Sequence, residues 1–213
     1  MCGKTISYPG APGPGGPAIV QTMVEADGGS CDINSYGKYN GGFYHVDALE
    51  SGKADVATLI FANFEIPEAR ARGMDDVGFF SLKDWGVPDF CQLVLFTTPK
   101  RYEEQKGALR KLVLAMRKAT GIIHQSPDVA RETYYAYVRE KNGGGEDASA
   151  DETQTAVMDA TMTATLVAFP NDNSMASSYY ARLMAWLVKT KQVDEDAVSK
   201  APVSKYWTNE IAW

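Results

Sequence analysis

Lys4-Thr5-Ile6-Ser7-Tyr8-Pro9-Gly10-Ala11-Pro12-Gly13-Pro14-Gly15-Gly16-Pro17 has the grammar of a strand that feeds a helix. Residues 4–8 alternate in polarity like a short strand and stop at Pro9-Gly10. The Gly/Pro loop leads to Pro17, a good first helical residue because its fixed φ suits the helix and its missing N–H would lack a partner there anyway. Ile19, Val20, Met23 and Val24 then recur at helical spacing, and Gly28-Gly29 ends the pattern. Strand, tight loop and helix make the first half of a βαβ unit.

Working outward, a second strand is predicted over residues 33–36, then the turn Asn40-Gly41-Gly42 and a helix over 44–51 that stops at Gly52. The apolar run Val56-Ala57-Thr58-Leu59-Ile60-Phe61 suits a strand buried on both faces of a sheet. Asn63 is placed to cap the following helix, 64–72, which ends at Gly73. Strands over 77–82 and 92–97 flank the turn Gly86-Val87-Pro88-Asp89. Strands alternating with short helices predict an α/β fold with a mixed, mostly parallel sheet.

After Pro99 the pattern turns helical. Leu109, Leu112, Val113, Met116 and Ile123 mark one apolar face, and Ser126-Pro127-Asp128 starts a second helix. Gly143-Gly144-Gly145-Glu146-Asp147 reads as a surface loop. Two more helices are expected over 151–169 and 174–191, with short helical turns near Ala197 and Asn209. No internal repeat at a fixed period is visible.

Composition narrows the function classes. Lys+Arg number 21 against Asp+Glu 27, a formal net charge of -6, so the chain lacks the basic surface that neutralises phosphates, and nucleic acid is not an expected partner. Neither is a membrane: no run reaches the roughly 18 uninterrupted apolar residues of a spanning helix. Cys2, Cys31 and Cys91 show no CxxC spacing and are read as free thiols, neither a disulfide framework nor a zinc site. His45 and His124 stand far apart without a metalloprotease motif and are read as surface or packing residues. No metal or cofactor is expected. Met1-Cys2-Gly3-Lys4 lacks the basic and apolar regions of a secretory signal, so the chain as given reads as cytoplasmic, or as exported if its true start lies elsewhere.

Two loops are candidate sites. In the Gly/Pro loop, glycines let backbone amides approach a ligand, and the helix start that follows favours a polar oxygen or anion. The loop lacks a Gly-Lys-Ser/Thr ending and is no P-loop, while Pro14 and Pro17 remove amides that the dinucleotide fingerprint needs. A tight structural turn and a ligand contact both stay open. The second candidate, Phe61-Ala62-Asn63-Phe64-Glu65, leaves a buried strand and enters a helix, where open α/β sheets bind ligands. An aromatic ring there can stack on a planar heterocycle while the acid pairs with its ring nitrogen and exocyclic amine. The alternative is that both phenylalanines are core and Glu65 merely favours the positive helix start. Trp85 and Asp89 sit in a turn that either faces the same cleft or is simply structural. Tyr134-Tyr135-Ala136-Tyr137 and Tyr179-Tyr180 are read as core or interface. No Ser/His/Asp or Cys/His set is visible, and no catalytic residue is named.

The order of five segments carries a resemblance. Lys4 to Gly10, then Val46-Asp47-Ala48-Leu49-Glu50-Ser51-Gly52-Lys53-Ala54-Asp55, Phe61 to Glu65, Gly86-Val87-Pro88-Asp89-Phe90, and Tyr206-Trp207-Thr208-Asn209-Glu210 together resemble the thiamine pyrimidine-precursor binding proteins. Those proteins are periplasmic-binding-protein-like and share their fold with the eukaryotic pyrimidine-precursor synthase and the alkylsulfonate and taurine binding proteins. The resemblance implies two α/β lobes joined by two crossing strands, with the ligand between them. By it, residues 1–95 would form the small second lobe, with crossovers near 6–9 and 93–97, and residues 96–213 the helical part of an incomplete first lobe. Its ligand-binding positions would be Tyr8, Gly10, Gly13, Asn63, Phe64, Glu65 and Asp89, with Glu65 facing an aminopyrimidine. The synthase branch is associated with a cysteine-rich motif, a histidine and a lysine in the part of the first lobe that has no counterpart here.

The leading expectation is a non-enzymatic, ABC-transporter-related solute-binding domain for a pyrimidine-type ligand. The alternatives are a subunit or fragment of a pyrimidine-precursor synthase, and a structural oligomer that has lost its ligand site. Helices that would cover missing strands predict a homo-oligomer, or a partner chain that completes the first lobe.

Overall fold

Three parallel strands organise the N-terminal part of the chain: β1 (Thr5–Tyr8), β2 (Gly37–Asn40) and β3 (Val56–Ala57), in the order β2-β1-β3. Thr5 pairs with Gly37 and Tyr8 with Asn40 on one side, and Ile6 with Val56 and Ser7 with Ala57 on the other. The computed structural model describes residues 1–10, 13–91, 93–141, 152–170, 173–200 and 202–212, which form two compact units. One unit comprises Met1–Gln92 and Ala176–Tyr206, the other Leu93–Met175 and Trp207–Trp213.

In the first unit, α1 (Gly15–Ala26) joins β1 to β2, and α2 (His45–Glu50) joins β2 to β3. β2 and β3 flank β1 on opposite sides, so two right-handed crossovers place α1 and α2 on opposite faces of the sheet. The side chains agree with the period of two. Ile6 and Tyr8 pack with Val20, Val24 and Tyr36 on the α1 face, whereas Ser7 bonds to His45 of α2 on the other. The outer face of α1 builds a second cluster, Ala18, Ile19, Met23, Val87 and Trp186. Trp186 lies on α7 (Ser177–Lys189) and donates its indole N–H to Thr22 Oγ1 at 3.0 Å, so this helix closes over α1. Helix α1 begins at Gly15, two residues before the expected Pro17, and ends where Gly28 takes φ +79, which glycine adopts without a Cβ clash.

α3 (Ala62–Ala71) packs beside α2. Arg72, just past its end, bonds to Asp47 at 2.5 Å and Glu50 at 3.2 Å from α2 and to Glu68 at 2.6 Å from α3. This half-exposed clamp contributes up to about 1 kcal/mol per pair, and its main effect is to fix one helix against the other.

Several expected elements differ. The strand predicted over 56–61 pairs only at Val56–Ala57, because Leu59 takes φ +60, a left-handed conformation that ends extension. Its side chain is instead packed against the Trp186 cluster. The segment predicted as a strand over 33–36 is a 3₁₀ turn, Ile33–Ser35, followed by β2. Residues 77–82 and 93–97 form no strand, so the sheet is wholly parallel among the described residues, and Asp89 lies in an irregular segment after the 3₁₀ turn Leu82–Trp85. Cys2 and Cys31 are bonded, with Cα atoms 5.7 Å apart, and only Cys91 of the three is free. The free-thiol reading failed because spacing along the chain says nothing about β1 and the loop after α1 bringing these ends together.

The second unit holds α4 (Pro99–Gln125), α5 (Pro127–Lys141) and α6 (Glu152–Leu166). Thr98 caps α4 by accepting from Arg101 N–H, and Tyr135 donates to Asp159 at 2.6 Å, joining α5 to α6. Asn209 makes reciprocal bonds with the Met175 backbone at 3.0 and 2.9 Å. Glu210 accepts from Tyr102 Oη at 3.0 Å and pairs with Lys106. The loop at 143–147 lies outside the described residues. No helix among the described residues is long and apolar enough to cross a membrane.

Candidate functional site

The three parallel strands share one carboxyl end, and the loops leaving it carry the polar groups of interest. In open α/β sheets this edge, where successive connections diverge to opposite faces, is where ligands bind. Tyr8 O accepts from Gly41 N–H at 3.0 Å and Ser7 O from Thr58 N–H at 3.0 Å, so the turns after β2 and β3 are stitched to either side of β1.

Glu65 stands in the first turn of α3 and is only 6% exposed. Its Oε2 accepts the Phe61 N–H at 2.6 Å, closing the helix start, while its buried Oε1 has no partner among the described residues. Burial pushes its carboxyl above the usual range, the Phe61 amide works against that, and Glu68 adds to it. The cap residue is therefore Phe61, and Asn63, expected to cap, lies inside the helix. The structural reading of Glu65 holds for one oxygen and leaves the other to be explained.

The Phe61 ring stacks with Phe43 from the loop after β2, with centroids 6.5 Å apart and an interplanar angle of 28°. Phe43 is 72% exposed and Phe61 and Phe64 are each 38% exposed, so the phenylalanines are not core. They offer flat apolar surface next to a buried carboxyl.

Tyr8 ends β1 with its ring against Gly16, and its buried hydroxyl has no partner among the described residues; burial, with a smaller push from Tyr36, raises it to about 12. Gly10 follows with φ +89 and open space around it, and Gly13 is exposed. Asp89 is exposed and acts electrostatically on Tyr179 of α7. Asn63, Phe64 and Glu65 thus come together in the first turn of α3, whereas Tyr8 ends β1 with its side chain on the α1 face. An open cavity of about 440 Å³ also lies beside the Gly41-Gly42 turn, lined by Tyr39, Tyr44, Asp47 and Lys53 among others, and none of the seven expected residues lines it.

Sequence reasoning missed Ser7 and His45. Ser7 is fully buried, and its Oγ lies 2.9 Å from His45 Nδ1, while His45 is 2% exposed and its Nε2 has no partner among the described residues. Burial lowers the His45 pKa, favouring the neutral ring. A histidine three residues after the Gly41-Gly42 turn, where the next helix opens, was the available signal.

A family model described as NMT1/THI5 like matches residues 1–130. The chain belongs to the NMT1/THI5-like family. The match covers the sheet, helices α1 to α4 and every candidate site residue. Over 130 residues the chain is 32% identical to the formylaminopyrimidine-binding protein of Halalkalibacterium halodurans, covering 61% of this chain and 38% of that protein. No solved structure matches the chain. The resemblance to thiamine pyrimidine-precursor binding proteins therefore holds for this chain over residues 1–130, and the Tyr206 to Glu210 segment lies beyond the match.

Proposed function

We propose that this chain is a binding module, not an enzyme, for an aminopyrimidine of the thiamine-precursor class, a formylaminopyrimidine being the first candidate. The observation that carries the reading is the unpartnered, buried Oε1 of Glu65 beside the Phe43–Phe61 pair. A planar ring would stack on the exposed phenylalanines while its amine donates to Oε1, satisfying an oxygen whose isolation is otherwise costly. Tyr8, Gly10, Gly13, Asn63, Phe64 and Asp89 belong to the same proposed site. The lobe assignment, 1–95 and 96–213, is part of the proposal too, and so is a homo-oligomer or partner chain that completes the first lobe. The chain spans 38% of the length of that relative.

The test is calorimetric titration with aminopyrimidines against wild type and Glu65→Gln. Wild type is expected to bind, and the variant, which offers an amide where the ligand needs an acid, to lose about tenfold or more in affinity. Equal affinities would remove Glu65 from the site.

A further inference from the structure

Helix α4 carries a second apolar face that stays exposed among the described residues. Ala108, Leu112, Ala115, Ala119 and Ile122 recur at alternating steps of four and three residues, the spacing of a coiled-coil seam. All five are exposed, Leu112 to 46% and Ile122 to 52%, and Met116 beside them to 46%. The inner side of the helix is a different one, because its buried residues, Val113 and Thr120, lie roughly 130° around the axis at about 100° per residue. A continuous apolar stripe of this kind on the outer side of a helix is a surface for a partner.

Charge selects the kind of partner. α4 holds seven of the chain's 21 Lys and Arg but only two of its 27 Asp and Glu, a basic helix in an acidic chain. Lys111 and Lys118 directly precede Leu112 and Ala119, so they stand at the g positions that flank the seam. Both are exposed, whereas the ion pairs of α4 among the described residues use Lys100 and Lys106. A second copy docked through the same seam fits poorly. In an antiparallel pair g faces g, and Lys111 of one copy would meet Lys118 of the other; in a parallel pair the lysines would meet the e positions Met116 and Ile123, which carry no charge. We propose that α4 docks an amphipathic helix of a different protein, one whose apolar seam is flanked by Glu or Asp. The inference rests on the partner-chain half of the proposed function, which it narrows, and not on the ligand at Glu65.

The test uses the full chain and two synthetic three-heptad peptides that share a leucine seam, one flanked by glutamates and the other by lysines. Fluorescence anisotropy at low salt is expected to show the glutamate peptide bound about tenfold more tightly, a margin that shrinks as salt screens exposed pairs. Lys111→Glu/Lys118→Glu should reverse the order, and Leu112→Asp should weaken the glutamate peptide at least about tenfold. All three positions are exposed, so circular dichroism should show the variants folded like wild type. Equal affinities, or an order unchanged by the lysine swap, overturn the proposal. Sedimentation of the chain alone is the second arm, and Leu112→Asp should leave its mass unchanged. A dimer that Leu112→Asp dissociates would give the face to a second copy, which keeps the oligomer half of the proposed function and overturns this inference. Binding to phosphatidylserine vesicles that needs Leu112, without binding of the glutamate peptide, would give the face to a bilayer and overturn it too. A monomer that binds neither peptide overturns the partner reading and this inference together.

Discussion

Replacing Gly16 by alanine should destabilise the first unit, even though alanine favours a helix. Gly16 lies in the first turn of α1, and a Cβ built on it would approach Tyr8 Cδ1 to 2.6 Å and Cε1 to 2.7 Å. Carbon atoms prefer about 3.5–4.0 Å, so the new methyl is about 1 Å too close. The ring has nowhere to yield. Tyr8 is 1% exposed, packed among Ile6, Val20, Val24 and Tyr36, and held by the pairing of β1 with β2. Overpacking of this kind costs about 1–3 kcal/mol, against a gain of about 0.4–1 kcal/mol from the stiffer unfolded chain. Gly15→Ala is the matched control. It sits in the same turn, and its nearest neighbour would be Gln192 Oε1 at 3.4 Å, the end of a flexible side chain. It should therefore be neutral or stabilising. Urea denaturation followed by tryptophan fluorescence should place Gly16→Ala about 1–3 kcal/mol below Gly15→Ala, and a thermal melt about 2–4 °C lower per kcal/mol. If the two variants melt together, the packing of Tyr8 on Gly16 does not limit the core.

Removing the Cys2–Cys31 bond by a Cys2→Ser/Cys31→Ser double substitution should cost roughly 3–4 kcal/mol, the loop-closure entropy for a separation of 29 residues. Reductant should lower the wild-type melting temperature toward that of the variant, and a wild type indifferent to reductant would refute the estimate. The raised Glu65 carboxyl sets a pH dependence. The native state holds a proton that the unfolded chain releases, so its stabilising contribution is full below the ordinary value of 4.5 and is lost as pH rises through the folded value. Glu65→Gln should therefore gain stability relative to wild type from about pH 4 to neutrality. Denaturant melts across that range that show a constant gap would contradict the burial argument.

The apolar runs show where sequence reading stops. Helices α1, α4, α5 and α7 were legible, because a period near 3.6 over ten or more residues leaves few other conformations, and Pro and Gly mark the ends. The runs at 77–82 and 92–97 read as strands, but 77–82 and 93–97 form none among the described residues, since a strand also needs a neighbouring edge with free N–H and C=O groups, and periodicity does not report one. Glu65 was legible as an acid at a helix start, but its division into one capping oxygen and one orphan required the Phe61 amide to be in place. His45 looked like an ordinary residue because its environment comes from Ser7, 38 positions away.

Local pattern and composition were enough for the strand–loop–helix order, the NMT1/THI5-like motifs and the excess of acidic over basic residues. Tertiary structure alone decided the parallel order β2-β1-β3, the Cys2–Cys31 bond and the Ser7–His45 pair. The physical reason is that burial and pairing depend on which distant segments meet. The buried polar atoms of Tyr8, His45 and Glu65 that lack a partner among the described residues are legible only at that level.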